Sequence, residues 1–343
     1  MMRLKPLSEQ TIVVTGASSG IGRATALEAG RRGAAVVLVA RGTDELDEVR
    51  RVIEHGGGRA AVCAADVSSQ DDVDRIVQTA VDSFGGFDSW VNDAAAATYG
   101  AVEDVSVDDH RRVFDVNYFG LLMGSLAAAR HLRSRGGGAI INLGSIVSDR
   151  SMIFQGPYAA SKAAVLSVTD ALRMELERDG APVSVTLIKP GAIDTPYPEH
   201  ARNYMDSPPR LPPMIYAPET VADAILFACE HSRRQLYVGG FGYLLSLGGR
   251  LAPRLTDKAM ELFGVEAQQK PGDPGDPAKR DNLYQPRDGD VEGGQHVFAR
   301  QTSLWLQAQK RPMALPLAAL AGFALMGAAR GLGWGRPADR PVD

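Results

Sequence analysis

Between residues 11 and 238 the sequence alternates short, almost wholly apolar runs with longer stretches in which apolar residues recur at helical spacing. Apolar runs of this length are typical of strands that are buried on both faces of a parallel sheet. Strands that are joined by helices in right-handed crossovers build an open sheet with helices on both faces. The alternation therefore predicts an α/β fold with a doubly wound parallel sheet.

The predicted elements can be assigned residue ranges from this pattern. We expect strands over residues 11–15, 35–40, 60–64, 89–92, 139–143, 183–188 and 235–238. We expect helices over residues 20–31, 43–55, 70–84, 107–134, 157–179 and 218–231. Pro218 at the start of a predicted helix and Gly180 just after the end of another agree with the preferences of helix termini.

The chain has 343 residues, which suffices for one domain of this type and an extension. We expect a single α/β domain over residues 8–245 and a helical extension over residues 246–269. Residues 270–290 contain four prolines, three glycines and five aspartates, so residues 270–298 are predicted to form a linker or a poorly ordered segment. An apolar helix and a tail are predicted over residues 299–343.

Residues 196–218 interrupt the alternation with seven prolines and with the tyrosines Tyr197, Tyr204 and Tyr216. A long irregular stretch inside an α/β domain is usually a functional loop. We therefore expect this segment to lie beside a binding site.

Charge and composition exclude several classes of protein. The chain has 37 basic and 41 acidic residues, and a net charge of −4 does not favour nucleic acid as a partner. Its two cysteines, Cys63 and Cys229, lie in apolar surroundings and are typical of a reducing compartment. The six histidines are scattered, so no metal site is predicted. The first residues lack the apolar core of a secretory signal, and we expect a cytoplasmic location.

A glycine-rich turn, Thr15-Gly16-Ala17-Ser18-Ser19-Gly20-Ile21-Gly22, follows the first predicted strand and opens the first predicted helix. A turn at this place lets the backbone approach the pyrophosphate of a dinucleotide, because side chains are missing at the glycines. The residues predicted to bind the cofactor here are Gly16, Ser18, Ser19, Gly20, Ile21 and Gly22.

The end of the second predicted strand indicates which dinucleotide is bound. An acidic side chain there accepts hydrogen bonds from the ribose 2′-hydroxyl of NAD, whereas a basic one pairs with the 2′-phosphate of NADP. The chain places Arg41 at this point and has no acidic residue before Asp44. This pattern favours NADP(H) over NAD(H), with an exposed arginine at the edge of the sheet as the alternative.

Tyr158 and Lys162 are four residues apart inside a predicted helix, so their side chains project from the same face. A neighbouring ammonium favours the phenolate and lowers the pKa of the phenol, which makes it a proton donor and acceptor near neutral pH. A Tyr-x-x-x-Lys spacing alone is weak evidence, since the chain has nine tyrosines and seven lysines. Ser145, at the end of the fifth predicted strand, makes the combination more specific.

These motifs, taken in their order along the chain, resemble the short-chain dehydrogenase/reductase family over residues 8–245. The resemblance implies a Rossmann-type sheet and an oxidoreductase that interconverts a secondary alcohol and a ketone or aldehyde by hydride transfer. It implies that Tyr158 is the general acid and base, that Ser145 binds the substrate oxygen, and that Lys162 holds the nicotinamide ribose. Asn117 would support a water molecule in a proton relay.

The same resemblance implies further cofactor contacts. They are Asp66 and Val67 after the third strand, Asn92 and Ala94 after the fourth, and Pro190, Gly191, Ile193 and Thr195 after the sixth. The fourth-strand motif is usually Asn-Asn-Ala-Gly in the family, and here it reads Asn92-Asp93-Ala94-Ala95. The difference places the carboxylate of Asp93 beside the cofactor cleft.

Two other readings of the function remain open at this stage. One is a 3-oxoacyl-type reductase of the same fold, and the other is a dinucleotide-binding scaffold without catalysis. The resemblance further implies that residues 196–218 form the lid over a small carbonyl or alcohol substrate. It also implies a homodimer or homotetramer assembled through the helices at 107–134 and 157–179.

Residues 313–329 form a run of seventeen residues without charge, flanked by Lys310, Arg311 and Arg330. As a helix this run would be about 25 Å long, slightly short of the roughly 30 Å hydrocarbon core of a bilayer. Pro316, the glycines and the many alanines make it only mildly hydrophobic. We expect either membrane association through this segment or a helix that packs on the protein.

Overall fold

The computed structural model describes residues 3–270, 272–273, 278, 280–287, 293 and 298–311. Its strands are β1 Thr11–Thr15, β2 Ala35–Ala40, β3 Arg59–Ala64, β4 Ser89–Asn92, β5 Thr98–Tyr99, β6 Gly138–Leu143, β7 Val183–Pro190, β8 Arg202–Asn203 and β9 Gln235–Val238. Seven of them form one parallel sheet in the order β3-β2-β1-β4-β6-β7-β9, and β5 pairs with β8 in a second, two-stranded sheet. The predicted doubly wound Rossmann-type fold is confirmed.

Helices cover both faces of the large sheet. They are α1 Gly20–Arg31, α2 Asp44–His55, α3 Gln70–Phe84, α4 Val107–Phe114, α5 Leu121–Ser134, α6 Gly156–Arg178, α7 Tyr197–His200, α8 Pro218–Glu230, α9 Gly240–Leu251, α10 Pro253–Ala259 and α11 Leu304–Lys310. Short 3₁₀ helices lie at Leu7–Glu9, Ile146–Ser148 and Glu266–Gln268, and π-helical turns at Asp115–Gly120 and Met260–Gly264.

The apolar strands are buried because their side chains alternate between two clusters. Val14 of β1 belongs to the cluster that contains Ile225 of α8, whereas its neighbour Val13 belongs to the cluster that contains Ile76 of α3. Each fully buried aliphatic side chain contributes about 1.5–3 kcal/mol of transfer free energy. The continuous apolar runs in the sequence are therefore explained by a sheet with two covered faces.

The chain crosses from one side of the sheet to the other after β3, so β1 and β4 are neighbours at the centre. Ligands of open α/β sheets bind outside the carboxyl ends of the strands at such a switch point. In this protein the switch point collects Thr15 at the end of β1, Asn92 at the end of β4 and Leu143 at the end of β6.

The structure differs from the sequence prediction within residues 107–134, where one helix was expected. The π-helical turn Asp115–Gly120 separates α4 from α5 and contains Asn117. A π-helical turn inserts an extra residue into a helix, often at a functional site, and leaves no mark on apolar periodicity over so short a span.

The proline-rich segment 196–218 contains α7 and β8 and is tied to the loop after β4. Thr98 pairs with Arg202 and Tyr99 pairs with Asn203. The two-stranded sheet therefore holds the predicted lid beside the carboxyl end of β4.

The boundary expected after residue 245 falls inside α9, and α9 is joined to the main domain by a buried carboxylate. Asp149 accepts hydrogen bonds from Lys189 of β7 at 2.9 Å and from Ser246 of α9 at 2.7 Å. Asp149 and Lys189 are both buried. The start of the expected extension is thus continuous with the α/β domain.

The last part of the chain is described only in places. The apolar run 313–329 lies outside the described residues, and among the described ones no helix is long and apolar enough to cross a membrane. The predicted linker 270–298 differs from the structure over residues 280–287, which pack on the domain and bury Leu283 completely.

Candidate active site

A cleft of about 230 Å³ opens at the carboxyl ends of β1, β2 and β4. Many of the residues that the sequence predicts for a cofactor or for catalysis line it. They are Gly16, Ser18, Ser19, Gly20, Ile21, Arg41, Asp66, Val67, Ala94, Tyr158, Lys162, Pro190 and Thr195. The structure thus brings together groups that are up to 179 residues apart in the sequence.

The other predicted residues do not line the cleft. They are Gly22, Asn92, Asn117, Ser145, Gly191 and Ile193. Ser145 lies directly behind the cleft wall, where its hydroxyl is hydrogen bonded to Tyr158. Gly191 donates its backbone N–H to the Val238 carbonyl at 3.0 Å, and Ile193 is a buried core residue.

The glycine turn adopts a shape that only glycine allows at its key positions. Gly16 and Gly20 have φ angles of 76° and 52°, in the left-handed region. A Cβ at Gly22 would collide with the carbonyl oxygen of Gly16, because α1 begins directly against the turn. The backbone is therefore exposed to a ligand at the N-terminus of α1.

Thr15 and Asp93 connect this turn to the loop after β4. The Thr15 hydroxyl accepts hydrogen bonds from the backbone N–H of Asp93 at 3.1 Å and of Ala94 at 3.2 Å. The Asp93 carboxylate accepts a hydrogen bond from the N–H of Gly22. We did not predict Thr15 as a site residue, because its role depends on the pairing of β1 with β4.

Tyr158 lies near the start of α6, and its environment differs from our expectation. Burial raises the pKa of Tyr158, and the Asp93 carboxylate acts in the same direction, whereas the hydrogen bond with Ser145 lowers it. The Lys162 nitrogen is 5.7 Å from the centre of the Tyr158 ring. The expected lowering by Lys162 is therefore absent here, since burial dominates and the ammonium is directed elsewhere.

The Lys162 ammonium donates a hydrogen bond of 2.7 Å to the backbone carbonyl of Leu143. Burial lowers the pKa of Lys162 to about 8, and the Asp93 carboxylate opposes this shift. Burial also raises the pKa of Asp93 to about 7, opposed by Lys162 and by the N–H of Gly22. Lys162 and Asp93 thus interact electrostatically at the wall of the cleft, and the pKa values of both lie near neutral pH.

The Asn117 side chain joins the loop after β4 to α6 through hydrogen bonds. Its side-chain amide donates to the Ala96 carbonyl and to the Ser161 hydroxyl, both at 2.9 Å. Its side-chain oxygen accepts from the Ala96 N–H at 2.7 Å. Ser161 in turn donates to the carbonyl of Tyr158 at 2.7 Å. All the donors of the Asn117 side chain are used in holding the loop after β4 against α6.

The Asn92 side chain is turned away from the cleft. It donates to Ser125 at 3.0 Å and to Asn142 at 2.8 Å, and it accepts from the Trp90 indole at 2.7 Å. Asn142 continues this buried network to Thr169 at 3.0 Å. The network joins β4 and β6 to α5 and α6, so the side chain of Asn92 has a structural task.

A cluster of charges lies at the outer end of the cleft, beyond β2. Arg112 of α4 pairs with Asp66 at 2.7 Å, and the Asp66 carboxylate also accepts from the hydroxyl of Ser68 at 2.6 Å. Arg41 donates through Nη2 to the carbonyl of Asn282. Its other terminal nitrogen, Nη1, is buried and has no hydrogen-bond partner among the described residues.

Aromatic rings surround Tyr158 on the lid side. The ring centre of Tyr197 lies 5.3 Å from that of Tyr158 and 5.9 Å from that of Tyr99. The Tyr197 hydroxyl donates to the side-chain oxygen of Gln155 at 3.2 Å. Tyr197 lines the cleft. The sequence predicts it only as one of the lid tyrosines, because its approach to Tyr158 depends on the β5–β8 pairing.

Arg112 and the segment 280–287 were missed as parts of the site. Asn282, Leu283, Pro286 and Arg287 line the cleft beside Arg41 and Asp66. The segment occurs in a stretch with the composition of a linker, and no local motif marks it.

Comparison with known proteins gives relatives over most of the chain. YxnA of Bacillus subtilis (strain 168), an uncharacterized oxidoreductase, is 44% identical over 332 residues, which is 96% of this chain and 93% of the relative. The 3beta-hydroxysteroid dehydrogenase 1 of Eggerthella lenta is 38% identical over 256 residues, which is 72% of this chain and 96% of the relative.

The fold also has solved neighbours. The L-sorbose reductase of Gluconobacter frateurii, determined as a complex with NADPH and L-sorbose, superposes with a TM-score of 0.60 at 28% identity. This match covers 68% of the present chain and 97% of the reductase. The sequence model of the short chain dehydrogenase family matches residues 10–205. This match, the relatives and the parallel sheet all agree. The chain belongs to the short chain dehydrogenase family.

Proposed function

We propose that the protein is an NADP(H)-dependent oxidoreductase that interconverts a secondary alcohol and a ketone or aldehyde. The observation that carries this proposal is the position of Tyr158, hydrogen bonded to Ser145 and one helical turn from Lys162, at the inner wall of the cleft. A phenol, a hydroxyl and an ammonium in this arrangement suit proton transfer to a carbonyl oxygen.

The residues of the cleft fit a dinucleotide. The turn at Gly16, Gly20 and Gly22 exposes backbone N–H groups at the N-terminus of α1, where a pyrophosphate is favoured. Arg41 has a buried Nη1 without a partner among the described residues, and a 2′-phosphate would satisfy it with a charge-assisted hydrogen bond. The NADPH bound to the L-sorbose reductase agrees with this choice.

A bound nicotinamide would supply the hydride for the carbonyl carbon. Tyr158 then donates a proton to the carbonyl oxygen in the reductive direction, and removes it from the alcohol in the oxidative direction. The Ser145 hydroxyl, which lowers the pKa of Tyr158 in this structure, would donate its one hydrogen bond to the substrate oxygen once a substrate is bound. In this proposal Lys162 would hold the nicotinamide ribose, and its ammonium, with a pKa of about 8, is charged at neutral pH.

Asn117 serves as a positioning residue in this proposal. Its bonds to Ala96 and Ser161 fix the relative position of the loop after β4 and of α6, which carries Tyr158 and Lys162. A water molecule in a proton relay would have to use backbone groups or Lys162, since the side-chain donors of Asn117 are taken.

The substrate side of the cleft favours an organic carbonyl with an apolar body. Tyr197 and Ala97 line the wall next to Tyr158, and Tyr99 lies behind them. Aromatic rings contact apolar ligand surface and present a polar hydroxyl at the edge. We therefore propose that the preferred substrates are hydrophobic ketones rather than short, highly hydroxylated ones.

We further propose that the protein assembles into a homodimer or homotetramer. Phe119, Leu126 and Met174 are 48%, 41% and 58% exposed and belong to the stretch that comprises the π-helical turn, α5 and α6. Large exposed apolar side chains on neighbouring helices favour association. Light scattering coupled to size exclusion would measure the mass, and a monomer at micromolar concentration would contradict the proposal.

The function is tested by following the near-ultraviolet absorbance of NADPH with a panel of steroid, acyl thioester and sugar ketones. We expect oxidation that requires both the protein and the ketone, and that is faster with NADPH than with NADH. Preference for acyl thioesters would make the protein a 3-oxoacyl-type reductase. A protein that binds NADPH tightly and turns over no carbonyl or alcohol in the panel would instead be a binding scaffold.

A further inference from the structure

Residues 280–287, which we call the strap, lie across the outer end of the cofactor cleft. Leu283 is fully buried in a cluster with Val67, Val113 and Val116. The family resemblance places Asp66, the neighbour of Val67 in the sequence, at the border of the adenine ring, so Leu283 occupies apolar space next to the expected adenine position. The strap is therefore seated in the part of the cleft that the adenosine half of a dinucleotide would use.

Three arginines of the α/β domain hold the strap through polar contacts. Arg41 donates through Nη2 to the carbonyls of Asn282 and Gln285, the second at 3.5 Å. Arg112 donates through Nε to the carbonyl of Leu283 at 3.0 Å. Arg202 pairs with Asp281 at 2.9 Å. Arg41 and Arg112 thus hold the strap through neutral backbone carbonyls, while another donor of Arg112 pairs with Asp66.

Further contacts join the strap to the lid and to α4. The N–H of Asn282 donates to the carbonyl of His200 at 2.9 Å, and Arg287 donates to the carbonyl of Glu199. The Tyr284 hydroxyl donates to Asp109 at 2.9 Å, and Asp109 also pairs with Arg202 at 3.1 Å. The strap is thus bonded both to α7 and to α4.

The strap makes contacts that the cofactor site would use. Arg41 donates through Nη2 to the carbonyls of Asn282 and Gln285, and Leu283 packs against Val67. Asn282 and Leu283 also form part of the cleft wall beside Arg41. The seated strap therefore competes with the adenosine half of a dinucleotide for Arg41 and for apolar contacts.

We propose that the strap is an autoinhibitory cover of the cofactor site, displaced by the adenosine 2′-phosphate half of NADP(H). The inference rests on the proposed function, since it needs a nucleotide that reaches Arg41. A phosphate forms stronger hydrogen bonds with a guanidinium than a neutral carbonyl does. In the bound state Arg41 would therefore donate to the phosphate instead of to the carbonyls of Asn282 and Gln285. The adenine would take the place of Leu283 in the apolar contacts.

The exchange predicts how a weakened strap changes affinity. When only the open fraction of a protein binds a ligand, the apparent dissociation constant is the intrinsic one divided by that fraction. Leu283→Ser removes the apolar anchor of the strap and raises the open fraction. The matched control is Leu262→Ser, because Leu262 is 68% exposed in the π-helical turn Met260–Gly264 and does not line the cleft.

The dissociation constants of three probes are measured by calorimetry with wild type and both variants. The probes are NADPH, 2′,5′-ADP and reduced nicotinamide mononucleotide. If the strap is open in roughly one tenth of the wild-type molecules, NADPH and 2′,5′-ADP should bind about tenfold more tightly to Leu283→Ser than to wild type. The mononucleotide and the control should be unchanged. Weaker or equal binding of NADPH to Leu283→Ser would overturn the proposal, since the strap would then be a wall of the site.

A second measurement guards against a misfolded variant. Asp281→Asn removes the charge that pairs with Arg202 and leaves Leu283 in place, and it should tighten NADPH binding in the same sense. Trypsin cleavage after Arg280 and Arg287 should be accelerated by saturating 2′,5′-ADP in the wild type. Protection of these bonds by the nucleotide would contradict displacement. Failure of every nucleotide to bind any variant would instead refute the proposed function.

Discussion

The ammonium of Lys162 donates a hydrogen bond of 2.7 Å to the carbonyl of Leu143, the last residue of β6. This contact joins α6 to the end of β6, two residues before Ser145. It fixes the lysine at the cleft, and burial lowers the pKa of its ammonium to about 8. The ammonium is therefore held in place by the carboxyl end of β6.

Replacing Tyr158 by phenylalanine should remove turnover and leave the cofactor site intact. The ring packs against Tyr197, and phenylalanine preserves that contact while it removes the hydroxyl that is bonded to Ser145. General acid catalysis contributes about 10²–10⁴-fold, so we expect kcat to fall by at least a factor of about 100. NADPH affinity, measured by fluorescence titration, should change by less than a few-fold.

Tyr243→Phe is the matched control for this substitution, since Tyr243 stacks on Trp305 and does not line the cleft. It should have wild-type kcat. Retention of more than about a tenth of wild-type activity in Tyr158→Phe would exclude the phenol as the acid and base.

Replacing Arg41 by alanine should change the choice between the two dinucleotides. A guanidinium that contacts a phosphate contributes roughly 1.5–3 kcal/mol, so the preference for NADPH over NADH should fall by at least about tenfold. The ratio of the two dissociation constants is the right measure, because Arg41 also holds the strap and its loss affects both nucleotides. Arg51→Ala, an exposed arginine of α2, should keep the wild-type ratio. An unchanged ratio in Arg41→Ala would assign the selectivity to another residue.

Replacing Asp93 by asparagine should change how stability depends on pH. Burial raises the pKa of Asp93 from 3.8 to about 7, so the folded state binds more protons than the unfolded state between these values. The stability that comes from this proton is fully present below pH 3.8 and is lost as the pH rises through about 7. Asparagine does not titrate, so the variant should gain in Tm relative to wild type as the pH increases across this interval.

Scanning calorimetry of both proteins between about pH 4 and pH 7 would check this. The chosen range stays below the pKa of Lys162, which is about 8, so the lysine contributes little to the slope. A difference in Tm that stays constant across the interval would show that the Asp93 carboxyl titrates normally.

Replacing Asn117 by alanine should destabilise the protein through the loop after β4. The N–H and the carbonyl of Ala96 and the hydroxyl of Ser161 would each lose a partner in a buried place. An unsatisfied buried polar group costs about 1–3 kcal/mol, so we expect a loss of at least about 2 kcal/mol in the free energy of unfolding. Urea denaturation measures it.

Ser161→Ala, which removes only one of these bonds, should cost less than Asn117→Ala. In the double variant the two losses should not add, with a coupling of about 0.5–3 kcal/mol, because the side chains share one hydrogen bond. Strict additivity would show that Asn117 and Ser161 act independently.

The strands and the glycine turn could be predicted because their signals are local. The apolar run that contains Val13 and Val14 predicts that both faces of β1 are buried, as they are in the structure. Gly22 in the glycine turn predicts the close approach of α1 to that turn. The π-helical turn around Asn117 could not be predicted in this way. It is stabilised by bonds to Ala96 and to Ser161, which lie 21 and 44 residues away along the chain.

The pKa shifts of the cleft needed the tertiary structure for the same reason. The spacing of Tyr158 and Lys162 correctly places both on one helix, but the direction of the tyrosine shift depends on burial and on Asp93. A spacing in the sequence contains no information about how much water a fold leaves around a side chain.

The amino-acid order determines the doubly wound sheet, the glycine turn and the set of reactive side chains, because apolar periodicity and backbone freedom act over a few residues. The tertiary structure decides what those side chains contact. It alone seats residues 280–287 on Arg41 and Arg112, through contacts that span 171 to 244 positions of the chain. Such contacts cannot be predicted from the sequence, since backbone carbonyls of a linker-like segment carry no sequence signal of their own.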